Sequence, residues 1–143
     1  MTQHPQGSQH DAARPQQQSR MTKQRMVILE ELRRVHSHPT ADEIYGMVRQ
    51  RLPRISLGTV YRNLDLLADS GDILKLESAG SQKRFDGNVT PHQHVRCTQC
   101  GRVGDVMDPV AVPDIAAARA PGFIIISGRI EFEGVCEGCA SKN

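Results

Sequence analysis

Two C-x2-C pairs, Cys97/Cys100 and Cys136/Cys139, hold all four cysteines of the chain and bind its C-terminal third into one problem. A glycine follows the first pair (Gly101) and another lies inside the second (Gly138), so each pair can form a tight turn that offers two thiolates. Brought together, the two turns supply four sulfurs in a tetrahedron, an arrangement that favours zinc and leaves no open position for a substrate. A structural zinc site is the expectation. Zinc-coupled folding contributes on the order of 10 kcal/mol. That contribution matters here, because aromatic residues are 3% of the chain and Trp is absent, which limits the core each half can build. The alternatives are four free or redox-active thiols, or a switch in which oxidation ejects the metal.

At 143 residues the chain can be one domain or two small modules. Its net charge of +2 hides a segregation: from Arg20 to Leu64 nine basic residues face four acidic ones, whereas from Asp65 onward eight face eleven. A basic half is followed by an acidic half. Residues 1–19 are rich in Gln, Ser and His with no helical period, and a mobile tail is expected there. No charged-then-apolar leader opens the sequence and no apolar run approaches a membrane span, so a cytoplasmic protein is expected. In a reducing compartment, cysteines more often bind metal than form permanent disulfides.

Three short helices are legible in the basic half. Thr22 can cap a first helix carrying Ile28, Leu29, Leu32 and Val35 at helical spacing and running to about His36. Thr40-Ala41-Asp42-Glu43 is a T-x-x-E capping box that opens a second helix with Ile44, Met47 and Val48 inward. Ser56 starts a third, with Val60, Leu64 and Leu67 on one side, and Gly71 ends it. A hairpin follows, from Ile73, Leu74 and Leu76 through a turn at Ser78–Ser81 to Lys83, Arg84 and Phe85. Helix-turn-helix followed by a wing is the expected motif.

The third helix has the composition of a DNA reader. Arg62 lies opposite the apolar stripe, Gly58 permits close approach one turn earlier, and Ser56, Thr59, Tyr61 and Asn63 flank them with polar or methyl groups. Thr22, Lys23 and Arg25 at the first helix, with Arg33, Arg34, Arg49, Arg51 and Arg54, can anchor phosphates. Asp65 and Asp69 repel phosphate, so only the N-terminal half of the helix should enter the major groove. An ordinary solvated helix face is the alternative.

The second module begins near His92. Strands are expected at His94–Cys97 and about Val103–Met107, a short helix at Pro113–Arg119, and one or two strands over Phe123–Ile126, Ile130 and Phe132. In an extended strand His92 and His94 point to the same face, which makes them a candidate ligand pair. Asp86 and Asp105 are close by in sequence, and mixed nitrogen and oxygen donors suit Fe(II), Mn(II) or Zn(II). Spacing alone leaves His38 as a capping or surface residue and Asp86 as a turn former.

These motifs in this order, His38-Pro39-Thr40-Ala41-Asp42-Glu43-Ile44-Tyr45, Ile55 to Leu64, Arg84-Phe85-Asp86, and His92-Gln93-His94 leading into Cys97-x2-Cys100-Gly101, resemble the ferric uptake regulator (Fur) family from about Arg20 to Cys139. The resemblance implies an α+β protein: a winged-helix DNA-binding domain over residues 20–87 and a small α/β dimerisation domain over 88–143 that carries the structural zinc. It implies a homodimeric, metal-dependent transcription factor that binds a double-stranded DNA operator, with no membrane partner and no enzymatic turnover. It places a regulatory Fe(II) or Mn(II) on His38, Asp86, His92, His94 and Asp105, between the two domains, where one ion can fix the angle of the reading heads.

Asp105, where the iron-sensing members usually carry Glu, together with Asp86 looks like the peroxide-sensing repressors. Pro91, Gln93 and Gly128 stand where many metal sensors hold a histidine, an acid and a histidine, which argues against a further metal site. The peroxide branch implies Fe(II)-dependent oxidation of His38 or His92 to 2-oxohistidine. An iron- or manganese-availability regulator is the second reading, and a zinc/thiol redox switch the third. A zinc deaminase is not supported, since His94-Val95-Arg96 lacks the adjacent glutamate that chemistry needs.

Overall fold

Thr22, Thr40 and Ser56 each stand one residue ahead of a helix and accept a hydrogen bond from a backbone N–H three residues on. These caps open α1 (Lys23–Arg33), α2 (Ala41–Val48) and α3 (Leu57–Asp69) in the computed structural model, which describes residues 21–78 and 81–142. At α2 the capping box is complete: the Glu43 carboxylate accepts from the Thr40 amide at 2.7 Å. The expected tail over residues 1–19 and the centre of the Ser78–Ser81 turn lie outside the described residues.

The apolar stripes of the three helices close on one another. Ile28, Leu32, Ile44, Val48, Val60, Leu64 and Leu67 are fully buried, and Phe85 from the hairpin is 1% exposed. Burying each such side chain stabilises the fold by about 1.5–3 kcal/mol. The hairpin pairs β1 (Leu74–Leu76) with β2 (Arg84–Asp86) antiparallel, Leu74 opposite Asp86. Helix-turn-helix and wing are therefore present as expected. Helix α1 ends at Arg33, short of His36, and Pro39 bars the residue before it from the right-handed helical region. His38 takes φ +49° instead.

The second module is a three-stranded sheet in the order β4-β3-β5. β3 (His94–Cys97) pairs antiparallel with β4 (Val103–Asp105) and parallel with β5 (Glu131–Gly134), ahead of a one-turn helix α4 (Glu137–Ala140). Cys97 and Val103 are its buried apolar side chains among the described residues, a sparse core beside that of the helices. Two expectations are met in part. The short helix expected at Pro113–Arg119 is a single 3-10 turn, Ile115–Ala117, and of the strands expected over Phe123–Ile126, Ile130 and Phe132 only β5, with Phe132, forms. Phe123–Ile126 forms no strand: Phe123, Ile124 and Ile126 are 78, 92 and 91% exposed. Their β-rich composition supplies propensity, but a strand is stabilised by pairing and burial, and none of the described residues pairs with this segment.

Gly87 directly follows β2. A β-carbon there would stand 2.9 Å from Arg33 Cγ and 3.1 Å from the Arg33 backbone, so α1 would have to give way. Gly87→Ala is expected to cost about 1–3 kcal/mol, as overpacking does; a urea midpoint equal to wild type would show that α1 yields freely.

Candidate functional site

Parallel pairing of β3 with β5 sets Cys97 opposite Gly134, which carries Cys136 and Cys139 to the Cys97–Cys100 turn. Gly101, at φ +73°, closes that turn through its N–H to the Cys97 carbonyl at 2.9 Å. The four Sγ atoms lie within 4.8 Å of one another, with no disulfide, and Cys100 Sγ is 3.7 Å from Cys136 Sγ. A tetrahedron with metal–sulfur bonds of about 2.3 Å has edges of about 3.8 Å. Amide N–H groups of Cys136 and Cys100 pull the Cys97 thiol down to about 6. The neighbouring Cys136 and Cys100 thiols push Cys139 up to about 12. Such crowding of sulfurs is what a cation resolves.

The second cluster draws on both modules. His38 comes from the turn after α1 and Asp86 from the end of β2; His92 precedes β3, His94 opens it, and Asp105 ends β4 directly opposite His94. One donor atom from each of the five lies within 4.8 Å of all the others. Asp105 Oδ1 is 2.9 Å from His38 Nε2 and 3.1 Å from His92 Nε2. Asp86 Oδ2 is 2.9, 3.1 and 3.3 Å from the Nε2 atoms of His92, His94 and His38. Octahedral coordination with bonds of about 2.1 Å gives ligand edges of about 3 Å.

Orientation matters as much as distance. His92 Nε2 and Asp105 Oδ1 are buried yet satisfy no hydrogen-bond geometry, so these close atoms face a common centre more than one another. The outer atoms are anchored: His92 Nδ1 contacts the Thr90 carbonyl at 2.6 Å, and Asp86 Oδ1 accepts from the Asn88 amide at 2.8 Å. Those contacts turn Nε2 and Oδ2 inward, as outer partners of metal ligands do. The donor set therefore fits a divalent ion with mixed nitrogen and oxygen preference. Burial lowers the His38 pKa, but the Asp86 and Asp105 carboxylates outweigh it and the net shift is upward. His92 is raised likewise, against its own burial, by the Thr90 carbonyl and the same two acids. Asp86, despite burial, is held well below the usual carboxylate range by His38 and His94.

On α3, Gly58, Tyr61 and Arg62 are exposed and Thr59 is half-buried, while Ser56 caps the helix and its hydroxyl lies 2.8 Å from that of Thr59. Thr22 is exposed at the start of α1. Two expected DNA contacts are not on this face. Asn63 is 6% exposed and Arg25 is 7% exposed, because Arg25 Nε donates to Asn63 Oδ1 at 3.3 Å and Asn63 Nδ2 donates to the Thr59 carbonyl. The pair sets the angle of α3 on α1 and does not present itself to solvent. Of the expected phosphate anchors, Arg34 and Arg51 are bound to Glu31.

Other contacts carry no sequence signal. The Tyr61 hydroxyl donates to Asp42 Oδ2 at 3.1 Å, which fixes the ring over α2 and raises the phenol pKa. Arg96 Nε and Ser78 Oγ both donate to Glu131, tying wing to sheet. Only the first of these involves a residue singled out from the sequence.

The ferric uptake regulator family model matches residues 16–133. The peroxide-responsive repressor PerR of Staphylococcus aureus is 39% identical over 124 residues, covering 86% of this chain and 84% of that protein. Among solved structures, the Helicobacter pylori ferric uptake regulator Fur aligns with a TM-score of 0.65 at 26% identity, over 85% of this chain and 82% of that one. The Campylobacter jejuni peroxide stress regulator aligns with a TM-score of 0.53 at 37% identity, over 58% of this chain and 61% of that one. With the winged helix, the small sheet and the order of the motifs already in place, the chain belongs to the ferric uptake regulator family of metal-responsive regulators.

Proposed function

We propose that this chain is a homodimeric transcriptional repressor that binds a double-stranded DNA operator in the cytoplasm and senses hydrogen peroxide through a divalent metal. In this reading residues 20–87 form the DNA-binding unit and 88–143 the dimerisation unit. Zinc is held by Cys97, Cys100, Cys136 and Cys139, and Fe(II) or Mn(II) by His38, Asp86, His92, His94 and Asp105. Gly58, Thr59, Tyr61 and Arg62 read the groove, with Ser56 and Thr22 positioned toward phosphates.

One observation carries the proposal: five donors from two modules converge on one point, with buried atoms aimed inward and unpaired. His38 and Asp86 belong to the helical half, and His92, His94 and Asp105 to the other. Their shared ion holds the two halves at one angle, and a dimer held at one angle fits one half-site spacing. Fe(II) held there would activate hydrogen peroxide, so that one of its oxygens would enter an imidazole C–H bond and the other would leave as water. His38 and His92, whose Nε2 atoms lie 2.9 and 3.1 Å from Asp105 Oδ1, are the rings that would take up that oxygen as 2-oxohistidine. A ring so modified is a poor ligand, the halves separate, and the operator is released. The resemblance to the Staphylococcus aureus peroxide-responsive repressor supports this branch.

The test is anaerobic loading with Fe(II), a short peroxide pulse, then operator binding beside mass spectrometry of the peptides holding His38 and His92. Operator release with one added oxygen on either peptide is expected, whereas the Mn(II)-loaded protein should keep both DNA and unmodified rings. Asp105→Glu should still take up metal but respond less to peroxide. Unmodified histidines and indifference to peroxide, with chelator-reversible DNA binding, would select a metal-availability regulator. Loss of DNA binding that reductant fully restores would select the thiol switch.

A further inference from the structure

Arg84 lies in neither cluster, yet its guanidinium spans the gap between them. Its Nε donates to the Gly101 carbonyl at 3.0 Å, and its Nη1 donates to the His38 carbonyl at 3.1 Å. The same Nη1 is 3.5 Å from Glu43 Oε2, the oxygen that accepts from the Thr40 amide in the capping box. Its side chain is 14% exposed.

Both carbonyls belong to residues in unusual conformations. His38 is the one non-glycine residue at positive φ among the described residues, a region that the β-carbon disfavours. It is held there from both sides: by Arg84 on its own carbonyl, and by the Phe85 amide, which donates to the Pro39 carbonyl at 3.0 Å. Gly101, at φ +73°, closes the cysteine turn. A planar fork that engages both has little freedom to let one move alone.

We propose that Arg84 is a positioning residue that couples the cysteine site to the His/Asp site, so that occupancy of each site stabilises the other. The inference rests on the metal reading given above and goes beyond it by naming the physical link. When four thiolates lose their ion the Gly101 turn is free to rearrange, Arg84 loses one anchor, and His38 relaxes toward an ordinary backbone that withdraws its ring from the cluster. Coupling between binding sites is reciprocal, so metal on the His/Asp cluster must retain zinc by the same factor.

The experiment uses the full chain with zinc bound, as wild type, Arg84→Gln and Arg84→Lys. Mn(II) affinity is read from the electron paramagnetic resonance signal of the free ion, and zinc release to a coloured chelator is followed with and without saturating Mn(II). In wild type, Mn(II) should slow zinc release about tenfold; Arg84→Gln should bind Mn(II) about tenfold more weakly, within the range seen for outer partners of metal ligands, and its zinc release should ignore Mn(II). Arg84→Lys retains the charge and the fold but not the fork, and should restore neither quantity. Zinc release in wild type that is indifferent to Mn(II), a measurement needing no variant, overturns the proposal. So does Arg84→Gln or Arg84→Lys with wild-type affinity and wild-type coupling. Wild type that binds no Mn(II) at all sinks the metal reading itself, and is distinguished from intact binding without coupling, which sinks only this inference.

Discussion

Stripping the thiolate-held zinc from the full chain, by chelation or through Cys100→Ser, is expected to unfold the cysteine-bearing end of the second module while the three helices stay folded. The two halves differ in what holds them. The helical half buries thirteen apolar residues from Val27 to Phe85 in one cluster, none of which depends on a metal. Among the described residues the other half buries only Cys97 and Val103 of its apolar side chains, and Phe123, Ile124 and Ile126 are exposed. Losing a contribution on the order of 10 kcal/mol is more than the whole stability of many small domains, which lies at about 5–15 kcal/mol. Hydrogen exchange reads the outcome directly. The Thr98 amide, bonded to the Gly134 carbonyl at 2.9 Å, and the Cys97 amide, bonded to the Arg102 carbonyl at 2.8 Å, should lose protection on zinc removal. Amides of α1 and α3 should keep theirs. Unchanged protection of Thr98 in metal-free protein would show that the sheet stands without zinc.

Asp86→Ala should abolish tight binding of Mn(II) or Fe(II) at the His/Asp cluster, a larger loss than the roughly 10–100-fold that follows removal of an outer partner. Asp86 Oδ2 lies within 3.3 Å of all three imidazole Nε2 atoms, whereas Asp105 Oδ1 is 3.6 Å from that of His94 and is more exposed, so Asp86 is the more central carboxylate. Without its charge, His38 and His92 also lose the chief carboxylate that raises their pKa. Competition between protons and metal gives the site a pH signature. In the metal-free protein the raised imidazoles bind protons more tightly folded than unfolded, so their stabilisation is fully present below 6.5 and fades as pH climbs through their folded values. Asp86 acts in the opposite sense, stabilising above its ordinary 3.8 and losing that effect only in acid. Metal needs the neutral rings, so its affinity rises across the interval in which the metal-free cluster weakens. Thermal unfolding above pH 6.5 should therefore show a falling midpoint without metal and a growing increment with Mn(II). In Asp86→Ala the increment should vanish. Parallel pH profiles with and without Mn(II) would rule out coordination by these rings.

Local signals in the chain were strong wherever a residue acts on its own neighbourhood. Thr22, Thr40 and Ser56 announced three helices because capping is a contact over three residues, and the apolar stripes told which faces close on one another. The cysteine pairs were legible for the same reason: each makes its own turn. Asn63, read as flanking the outer face, and Arg25, read as a phosphate anchor, are instead buried, since neither spacing nor charge tells where a neighbouring helix covers an edge. Phe123–Ile126 showed the opposite error, since a run of β-formers promises a strand only where another surface exists to receive it.

Helix starts, the wing, the zinc-binding spacing and the pairing of His92 with His94 were legible along the chain, since all depend on residues a few positions apart. Spacing left His38 and Asp86 unassigned until the family resemblance joined them to that pair, and the folded chain brings their donor atoms together with it, sets Arg84 between the two clusters and turns Arg25 toward Asn63. The physical reason is range: capping, periodicity and turn formation are set within a turn or two of chain. Convergence of a left-handed turn after α1 with the ends of β2 and β4 depends on how two separately stabilised modules are docked.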